Sequence, residues 1–459
     1  MSRTGCVRQV RCFLATSLLS VTLGMAKDVP ANPTFTRDVA PILYAHCVKC
    51  HHSGDIAPMS LLTYKEVRPW AAALKEAVVT RKMPPWKADE HYGKWSNDAR
   101  LSQAEIATIA AWVDSAKPEG DPKDLPAQPD FNGGWRIGKP DLVVSIPPRT
   151  IKSSGPDEYA YIDVPTNFKE DQWVVAAELR PGNRKVVHHA HVFVKEPEHK
   201  AAAASKDPAT EYARFLVVHE GTLDWVRPDA PVIDDGCAVD DNGLLPGSKF
   251  ADLGNLITSY LPGRDAEVFP EGTARRIPAG STLNFQIHYS HTTGKEETDE
   301  TSVGLFFTKK PAKVLHMISL TSQMFMIPAG AADHRVTECH TFANDLNITS
   351  LTPHMHLRGK AMRYVAHYPD GRSETLLFVP NYDFNWQFTY LAQQPIHIPK
   401  GTRMEVIAEF NNSANNALNP DPTKPVRWGA ASENEMMDGW IEYVDADPRE
   451  DTAQQTIGK

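Results

Sequence analysis

The chain has 459 residues, of which 41% are hydrophobic and 23% are charged. This composition is that of an ordinary folded protein, and the length is enough for two or more domains with substantial hydrophobic cores. With 48 basic and 57 acidic residues, the formal net charge is −9. An acidic chain without a basic cluster argues against nucleic acid and anionic lipid as partners.

The first 26 residues are predicted to be an export signal. Arg3, Arg8 and Arg11 precede an apolar run over residues 13–23, and a stretch with small residues follows at 24–26. The apolar run is too short to span a bilayer, so we expect a cleaved signal, with a retained anchor as the alternative. The mature protein is then expected in the periplasm or outside the cell, without a membrane span.

Residues 27–116 are predicted to form a small all-α domain that carries one covalent haem c. Cys47 and Cys50 are three positions apart, and His51 follows directly. Cysteines in this pattern add to the vinyl groups of haem, and the histidine becomes the proximal iron ligand. Zinc sites also use C-x-x-C pairs, but the sequence contains no second pair to complete one.

The second axial ligand of this haem is predicted to be a methionine. Met83 follows a predicted helix that Pro84 and Pro85 terminate. A thioether ligand would raise the reduction potential of the haem, as suits electron transfer. Met59 is the rival ligand, and a five-coordinate haem beside two merely packed methionines is the third possibility. The pattern favours Met83.

Residues 117–140 are rich in Pro, Gly, Asp and Lys, which predicts a semi-rigid linker. Beyond it, short segments rich in Val, Ile, Phe and Tyr alternate with Pro/Gly turns, as is typical of an all-β region. Its length suits two sandwiches, at 141–310 and 311–446, followed by a polar tail at 447–459. The predicted fold is therefore multidomain, with a small all-α domain before two all-β sandwiches. Predicted strands include 141–146, 173–179, 186–194, 282–289, 302–307, 362–368, 404–410 and 439–444.

Histidines and a methionine in the second predicted sandwich form a pattern that packing does not explain. His354 and His356 are two apart on a predicted strand, so both side chains leave the same face and can hold one ion. Imidazole suits copper or zinc, and an added thioether selects Cu(I). Met436 and Met437 are both candidates for that thioether, and Met436 is favoured.

Histidines in the first predicted sandwich are harder to interpret. His188 and His189 are adjacent, and adjacent strand residues face opposite ways, so both can bind one metal only at a twist, a bulge or a strand end. Strand periodicity alone would pair His189 with His191. His288 lies in a separate predicted strand. The residues alone leave these alternatives open.

The region from about residue 150 to residue 445 resembles the copper type II, ascorbate-dependent monooxygenases. This family includes the peptidylglycine α-hydroxylating and dopamine β-monooxygenases. The resemblance covers about two thirds of the chain and rests on the order and spacing of four motifs. They are Val187-His188-His189, Gln286-Ile287-His288-Tyr289, Pro353-His354-Met355-His356 and Glu435-Met436.

The resemblance implies two jelly-roll-like β-sandwich copper domains, here fused to an N-terminal c-type cytochrome domain. Each β-domain would bind one copper ion. The implied ligands are His188, His189 and His288 for the electron-transfer copper, and His354, His356 and Met436 for the oxygen-binding, catalytic copper.

The chain departs from the family pattern at several positions. Thr352 stands where the peptide-hydroxylating members place an arginine, and Trp440 stands where they place a tyrosine. A glycine-extended peptide is therefore not the expected substrate. The dense disulfide set of the family is mostly missing, since only Cys237 and Cys339 remain once the signal and the haem motif are set aside. Whether these two cysteines pair is open.

The function that the resemblance implies is hydroxylation of an activated C–H bond in a small organic molecule, with O₂ as oxidant. The fused haem is expected to relay electrons from an external donor, either an ascorbate-like reductant or a periplasmic redox protein. The alternative is a periplasmic electron-transfer or copper/redox-sensing protein without oxygenase activity. The substrate, the donor and the oligomeric state are not specified by the sequence.

Overall fold

The structure, a computed structural model, describes residues 29–53, 57–129, 134–155, 158–197, 216–219, 222–226, 229–237, 256–261, 266–291, 293–309, 311 and 313–446. The predicted export signal and the predicted polar tail lie outside the described residues. The protein is mostly β, with 40% strand and 12% helix, in agreement with a small helical part before a large β part. Among the helices described, none is long and apolar enough to cross a membrane.

The N-terminal part is a small helical unit with a core of its own. Phe35 and Trp112 are fully buried there, and their rings lie 6.1 Å apart. Capping boxes at Thr63 and Ser102 satisfy backbone N–H groups at the start of two helices. The α-helices in the described residues are α1 (Ala40–His46), α2 (Tyr64–Val67), α3 (Ala71–Val79) and α4 (Gln103–Asp114).

The first β-unit contains two main sheets that share one buried core. Its strands are β1 (Leu142–Ser145), β2 (Arg149–Ile151), β3 (Glu158–Pro165), β4 (Gln172–Arg180), β5 (Val187–Lys195), β6 (Leu216–His219), β7 (Thr222–Val226), β8 (Leu256–Tyr260), β9 (Glu267–Val268), β10 (Thr273–Ile277), β11 (Thr282–Tyr289), β12 (Glu297–Asp299), β13 (Ser302–Thr308) and β14 (Lys313–Val314). The larger sheet has the order β1-β13-β4-β10-β14, with β9 also on β4, and the smaller has the order β3-β11-β5-β8. The pairs β2–β12 and β6–β7 form small two-stranded sheets.

The second β-unit is built in the same way, from two four-stranded antiparallel sheets around one core. In its strand over 403–410 every second side chain is buried, because one face of the sheet meets that core. The strands are β15 (His316–Ser322), β16 (Met326–Ile327), β17 (His334–Thr341), β18 (Leu346–Met355), β19 (Gly359–His367), β20 (Ser373–Val379), β21 (Tyr390–Ile398), β22 (Arg403–Phe410), β23 (Val426–Arg427) and β24 (Met437–Asp445). The sheet orders are β15-β24-β18-β21 and β17-β22-β19-β20, and β16 pairs with β23.

A segment over residues 229–237 leaves the first predicted sandwich and packs on the second β-unit. Asp235 forms an isolated bridge with Thr337, and the Ile233 backbone N–H donates to the Met324 carbonyl. A disulfide joins Cys237 to Cys339 in β17 and closes the contact covalently. The pairing that the sequence left open is therefore present.

The helical unit is docked on the second β-unit rather than merely tethered to it. Ala88 and Trp95 belong to the core of that β-unit. Trp95 also forms a β-bridge with Ala392, and Asn97 donates its side-chain N–H to the Thr389 carbonyl at 2.7 Å. The chain over 86–97 therefore holds the helices at a fixed place beside β21.

A buried ion pair joins the two β-units. The Arg275 guanidinium in β10 donates to the Glu442 carboxylate in β24 and to the Leu256 carbonyl. Both charged side chains are nearly inaccessible to solvent. Breaking such a pair leaves an uncompensated buried charge, so this contact resists separation of the two units.

The buried carboxyl of Glu338, beside the disulfide, makes stability depend on pH. Burial and the nearby Asp235 charge raise its pKa to about 8, above the ordinary value of 4.5. Between pH 4.5 and pH 8, Glu338 therefore keeps its proton in the folded chain but loses it in the unfolded chain. Its contribution to the free energy of unfolding is complete below pH 4.5 and decreases as the pH rises towards 8. The decrease is about 1.4 kcal/mol per pH unit.

Replacing Glu338 with glutamine is expected to remove this loss. Thermal unfolding from pH 5 to pH 8 should show the natural chain losing stability relative to the variant. The matched control is Glu374→Gln, at an exposed position of β20, which should leave the pH dependence unchanged. Parallel curves for Glu338→Gln and the natural chain would contradict the assignment.

Candidate functional site

A β-bulge brings His188 and His189 to the same side of the first β-unit. In the β5–β11 pair, His288 lies opposite His189, whereas the next residue, Tyr289, lies opposite Val187. His188 is therefore the extra residue in β5. A bulge of this kind breaks the strict alternation of side chains. It explains how two adjacent histidines can point at one ion.

The three imidazoles converge on one point. The Nδ1 atoms of His188 and His189 are 3.1 Å apart, and those of His189 and His288 are 3.4 Å apart. All three residues have ligand atoms within 4.8 Å of one another. Two nitrogens that share a tetrahedral ion at about 2.0 Å lie roughly 3.3 Å apart. The spacing therefore fits a metal ion with three histidine ligands.

Burial keeps the His189 ring in the neutral form that binds metal. Burial and the surrounding histidines hold the pKa of His189 well below its usual range. Tyr159, opposite His288 across the β3–β11 pair, stacks on the His288 ring at 4.3 Å with an angle of 11°. Unprotonated nitrogens and fixed rings are what a metal ligand set requires.

His191, the partner that strand periodicity would have given His189, is placed differently. Its Nδ1 lies 2.8 Å from the Ser259 hydroxyl in β8. Its ring is 5.5 Å from that of His189, yet it is not part of the group of ligands around His188, His189 and His288. The bulge, not the two-residue period, determines which histidines meet.

His354 and His356 lie at the end of β18 in the second β-unit. Their ring centroids are 5.3 Å apart and the rings are nearly perpendicular. In the pair with β24, His354 lies opposite Asp438 and Met355 lies opposite Met437. Continuing this register by one residue puts Met436 opposite His356.

Met436 and Met437 occupy different environments. Met437 is fully buried in the hydrophobic core, on the same face as Met355. Met436, the residue before β24, is only half-buried at the edge of that core, and strand alternation from Met437 would direct its side chain to the other face. Among the described residues, no third His, Cys, Asp or Glu forms a metal-binding group with His354 and His356, and the thioether of Met436 remains the predicted third donor.

Hydrogen bonds orient both rings so that Nε2 is left to bind a metal. The Gln387 side-chain oxygen accepts from His354 Nδ1 at 2.6 Å, and the Asn434 carbonyl accepts from His356 Nδ1 at 3.3 Å. Metal-ligating histidines commonly donate their other ring N–H in this way. Burial also lowers the pKa of His356 to about 3, so its ring is neutral.

A buried carboxyl supports the turn that carries this pair. Glu435 accepts the backbone N–H of His356 at 2.9 Å and that of Arg358 at 2.6 Å. Burial raises its pKa to about 8. Glu435 therefore fixes the position of His356. Because Glu435 directly precedes Met436, this support lies next to the candidate thioether ligand in the sequence.

Two aromatic side chains lie between the histidine groups. The Phe384 ring is 6.3 Å from that of His188 and 5.9 Å from that of His356. The Trp440 ring is 6.3 Å from that of His191 and stacks on that of His354 at 5.7 Å. The two groups thus face each other across the boundary of the β-units, separated by about one ring.

A cavity of about 620 Å³ adjoins the C-x-x-C-H motif. This volume falls in the range of about 300–1,000 Å³ that cofactor sites occupy. Its walls are mostly apolar, and all three units contribute to them: helical residues, residues 266–270 and residues 386–391. The predicted ligands Cys47, Cys50, His51 and Met83 line it, as does Met59.

The residues of the motif are suited to covalent haem. Cys47 and Cys50 are thiols and are not joined in a disulfide. His51 Nδ1 lies 3.2 Å from the Met59 carbonyl, which leaves Nε2 for an iron. The Met59 backbone therefore holds His51 from its Nδ1 side, and Met59 and Met83 both stay candidates for the second axial ligand.

Comparisons with known proteins add no family. No protein-family model matches the chain, and no curated protein matches it significantly in sequence. The major capsid protein P2 of bacteriophage PM2 is 8% identical with a TM-score of 0.26, covering 67% of this chain and 99% of that one. PNGF-II is 12% identical with a TM-score of 0.27, covering 66% and 65%. A peptide-N(4)-(N-acetyl-beta-D-glucosaminyl) asparagine amidase is 9% identical with a TM-score of 0.27, covering 67% and 97%. Neither fold nor activity transfers at such values.

Sequence reasoning named the histidines and the cysteines but missed Phe384 and Gln387. Both lie in the loop before β21, and neither belongs to a recognisable motif. The available sign was the aromatic run from Phe384 to Tyr390, which is unusually dense for a loop.

Proposed function

We propose that this protein is an exported, haem-c-containing copper monooxygenase-like oxidoreductase. The observation that carries the proposal is the bulge that focuses His188, His189 and His288, opposite the His354–His356 pair. The cavity beside Cys47 and Cys50 supports a covalent haem. We assign one haem and two copper ions to the chain, and a c-type cytochrome role to its helical unit.

The reaction we propose is hydroxylation of an activated C–H bond in a small organic molecule. One atom of O₂ enters the C–H bond and the other leaves as water, which consumes two electrons and two protons. When bound, copper would supply one-electron redox chemistry at both histidine groups and oxygen chemistry at His354, His356 and Met436. An external reductant, ascorbate-like or a periplasmic redox protein, would provide the electrons through the haem.

The protein's own residues orient the ligands of the second histidine group. Gln387 and Asn434 hold the Nδ1 atoms of His354 and His356, so that Nε2 faces the ion. Phe384 and Trp440 pack against the rings of the two histidines. Thr352 and Trp440 supply no cation for a carboxylate, which supports a substrate other than a glycine-extended peptide.

The test is O₂ consumption by the full chain, loaded with haem and copper, against a panel of amines, peptides and aromatics. Substrate-dependent uptake with a hydroxylated product is expected. In stopped-flow spectroscopy, reduced haem should reoxidise in step with copper reduction. Haem that stays reduced beside Cu(II) would contradict the relay, and absence of any hydroxylated product would contradict the oxygenase.

The alternative is an electron-transfer or copper/redox-sensing protein without oxygenase activity. It is favoured by the covering of His354 and His356 by Trp440 and Phe384, since His356 is only 5% exposed. Copper content does not distinguish the two functions. Reversible reduction of copper with no substrate-dependent O₂ uptake would support this alternative.

Met436→Leu is expected to weaken Cu(I) binding at the second histidine group, because it removes the thioether that favours the softer ion. A loss of about tenfold or more in Cu(I) affinity should be seen in competition with a chelator. Met437→Leu is the matched control, since Met437 lies in the core on the opposite face. Equal losses in both variants would contradict the assignment of Met436.

A further inference from the structure

The wall between the Cys47–His51 cavity and the second histidine group is one stretch of chain. Trp386 and Phe388 both line the cavity, and their rings lie 6.4 Å apart at an angle of 7°. Gln387, between them, is 8% exposed and reaches the other way, to His354. Trp386 and Phe388 therefore face the cavity, while Gln387 between them faces the second histidine group.

The side-chain amide of Gln387 has a defined orientation. Its Nε2 donates to the Phe384 carbonyl at 3.0 Å, so its Oε1 must be the atom that lies 2.6 Å from His354 Nδ1. An amide oxygen accepts and cannot donate, so the His354 proton is on Nδ1. The Nε2 lone pair of His354 is then available to a metal.

Neither histidine group is among the described residues that line the cavity directly. His188, His189 and His288 are not among the described residues that line the cavity. The aromatic contacts Trp86–Phe388, at 6.0 Å, and Trp86–Tyr390, at 5.0 Å, also lie on the side of the second β-unit. The second group reaches the cavity wall through Gln387, the neighbour of Trp386 and Phe388.

We propose that Gln387 is a positioning residue for the metal site at His354 and His356, and that it links this site, rather than the triad, to the wall of the Cys47–His51 cavity. The inference rests on the proposed function, since it assumes that both sites hold their groups. It places the haem beside the copper to which the resemblance assigns oxygen binding, and not beside the electron-transfer copper.

The test uses the full chain with His189→Ala, so that only the second copper remains. Adding Gln387→Leu should lower the affinity for that copper by about 10- to 100-fold in chelator competition, because a partner that orients a metal ligand is lost. It should also change the Cu(II) hyperfine splitting in electron paramagnetic resonance. Gln387→Glu keeps an acceptor for Nδ1–H and should restore affinity to within about tenfold. Gln394→Leu, at an exposed position of β21, is the matched control and should change neither.

A separate measurement tests the connection between the cavity and the second histidine group. Removing the haem by Cys47→Ser with Cys50→Ser should shift the Cu(II) spectrum in the His189→Ala chain, but not in a His354→Ala chain that keeps only the triad copper. A shift only in the His354→Ala chain would overturn the proposal, as would Gln387→Leu with an unchanged spectrum and affinity. If the His189→Ala chain holds no copper at all, the proposed function fails instead.

Discussion

Replacing His189 with alanine is expected to reduce the copper content from two ions per chain to one while leaving the haem spectrum intact. His189 is the central ligand, since its Nδ1 lies within 3.4 Å of the Nδ1 atoms of both His188 and His288. Two remaining imidazoles cannot hold copper against a chelator, and losing a direct ligand costs more than the 10- to 100-fold typical of its supporting partners. Metal analysis after dialysis measures the effect.

His191→Ala is the matched control for this substitution. His191 is two residues away on the same strand and is similarly half-buried, but its Nδ1 contacts Ser259. Two copper ions should remain in that variant. If His191→Ala lost a copper and His189→Ala kept both, strand periodicity rather than the bulge would determine the ligand set, and the triad would be misassigned.

Replacing His354 with alanine is expected to abolish substrate-dependent O₂ consumption and to remove the other copper. His354 and His356 are the two nitrogen donors of this site, and a single imidazole with a thioether would not retain the ion in competition with a chelator. We expect turnover to fall by more than about 100-fold, while the triad copper and the haem stay bound. Oxygen-electrode traces and metal analysis report the two effects separately.

His397→Ala, in the same β-unit but in contact with Asn347, is the control and should retain activity. Loss of the haem together with the copper in His354→Ala would contradict the separate roles of the two sites. Unchanged O₂ consumption in His354→Ala would contradict its assignment as the oxygen site.

Local patterns predicted which side chains lie close together. The spacing of Cys47, Cys50 and His51 pointed to a haem site, and the structure places these residues around a suitable cavity. The i, i+2 spacing of His354 and His356 predicted a shared face, and the structure pairs the two rings there. Both predictions depend only on residues close in sequence, which is why they could be made.

Longer-range features could not be predicted in this way. The bulge at His188 depends on the register of β5 against β11, nearly a hundred residues farther along the chain. The crossing of residues 229–237 to the second β-unit and the docking of Trp95 on its core depend on tertiary contacts that no local period encodes. Gln387 was missed for the same reason, because its role appears only when the cavity and His354 lie on opposite sides of it.

The most direct measurement is the content of iron, haem and copper in the full chain purified without added metals or chelators. One covalent haem, identified from its absorption after pyridine treatment, and two copper ions per chain are the predicted result. A chain without covalent haem, or one with zinc in place of copper at both histidine groups, would contradict a haem-linked copper oxygenase.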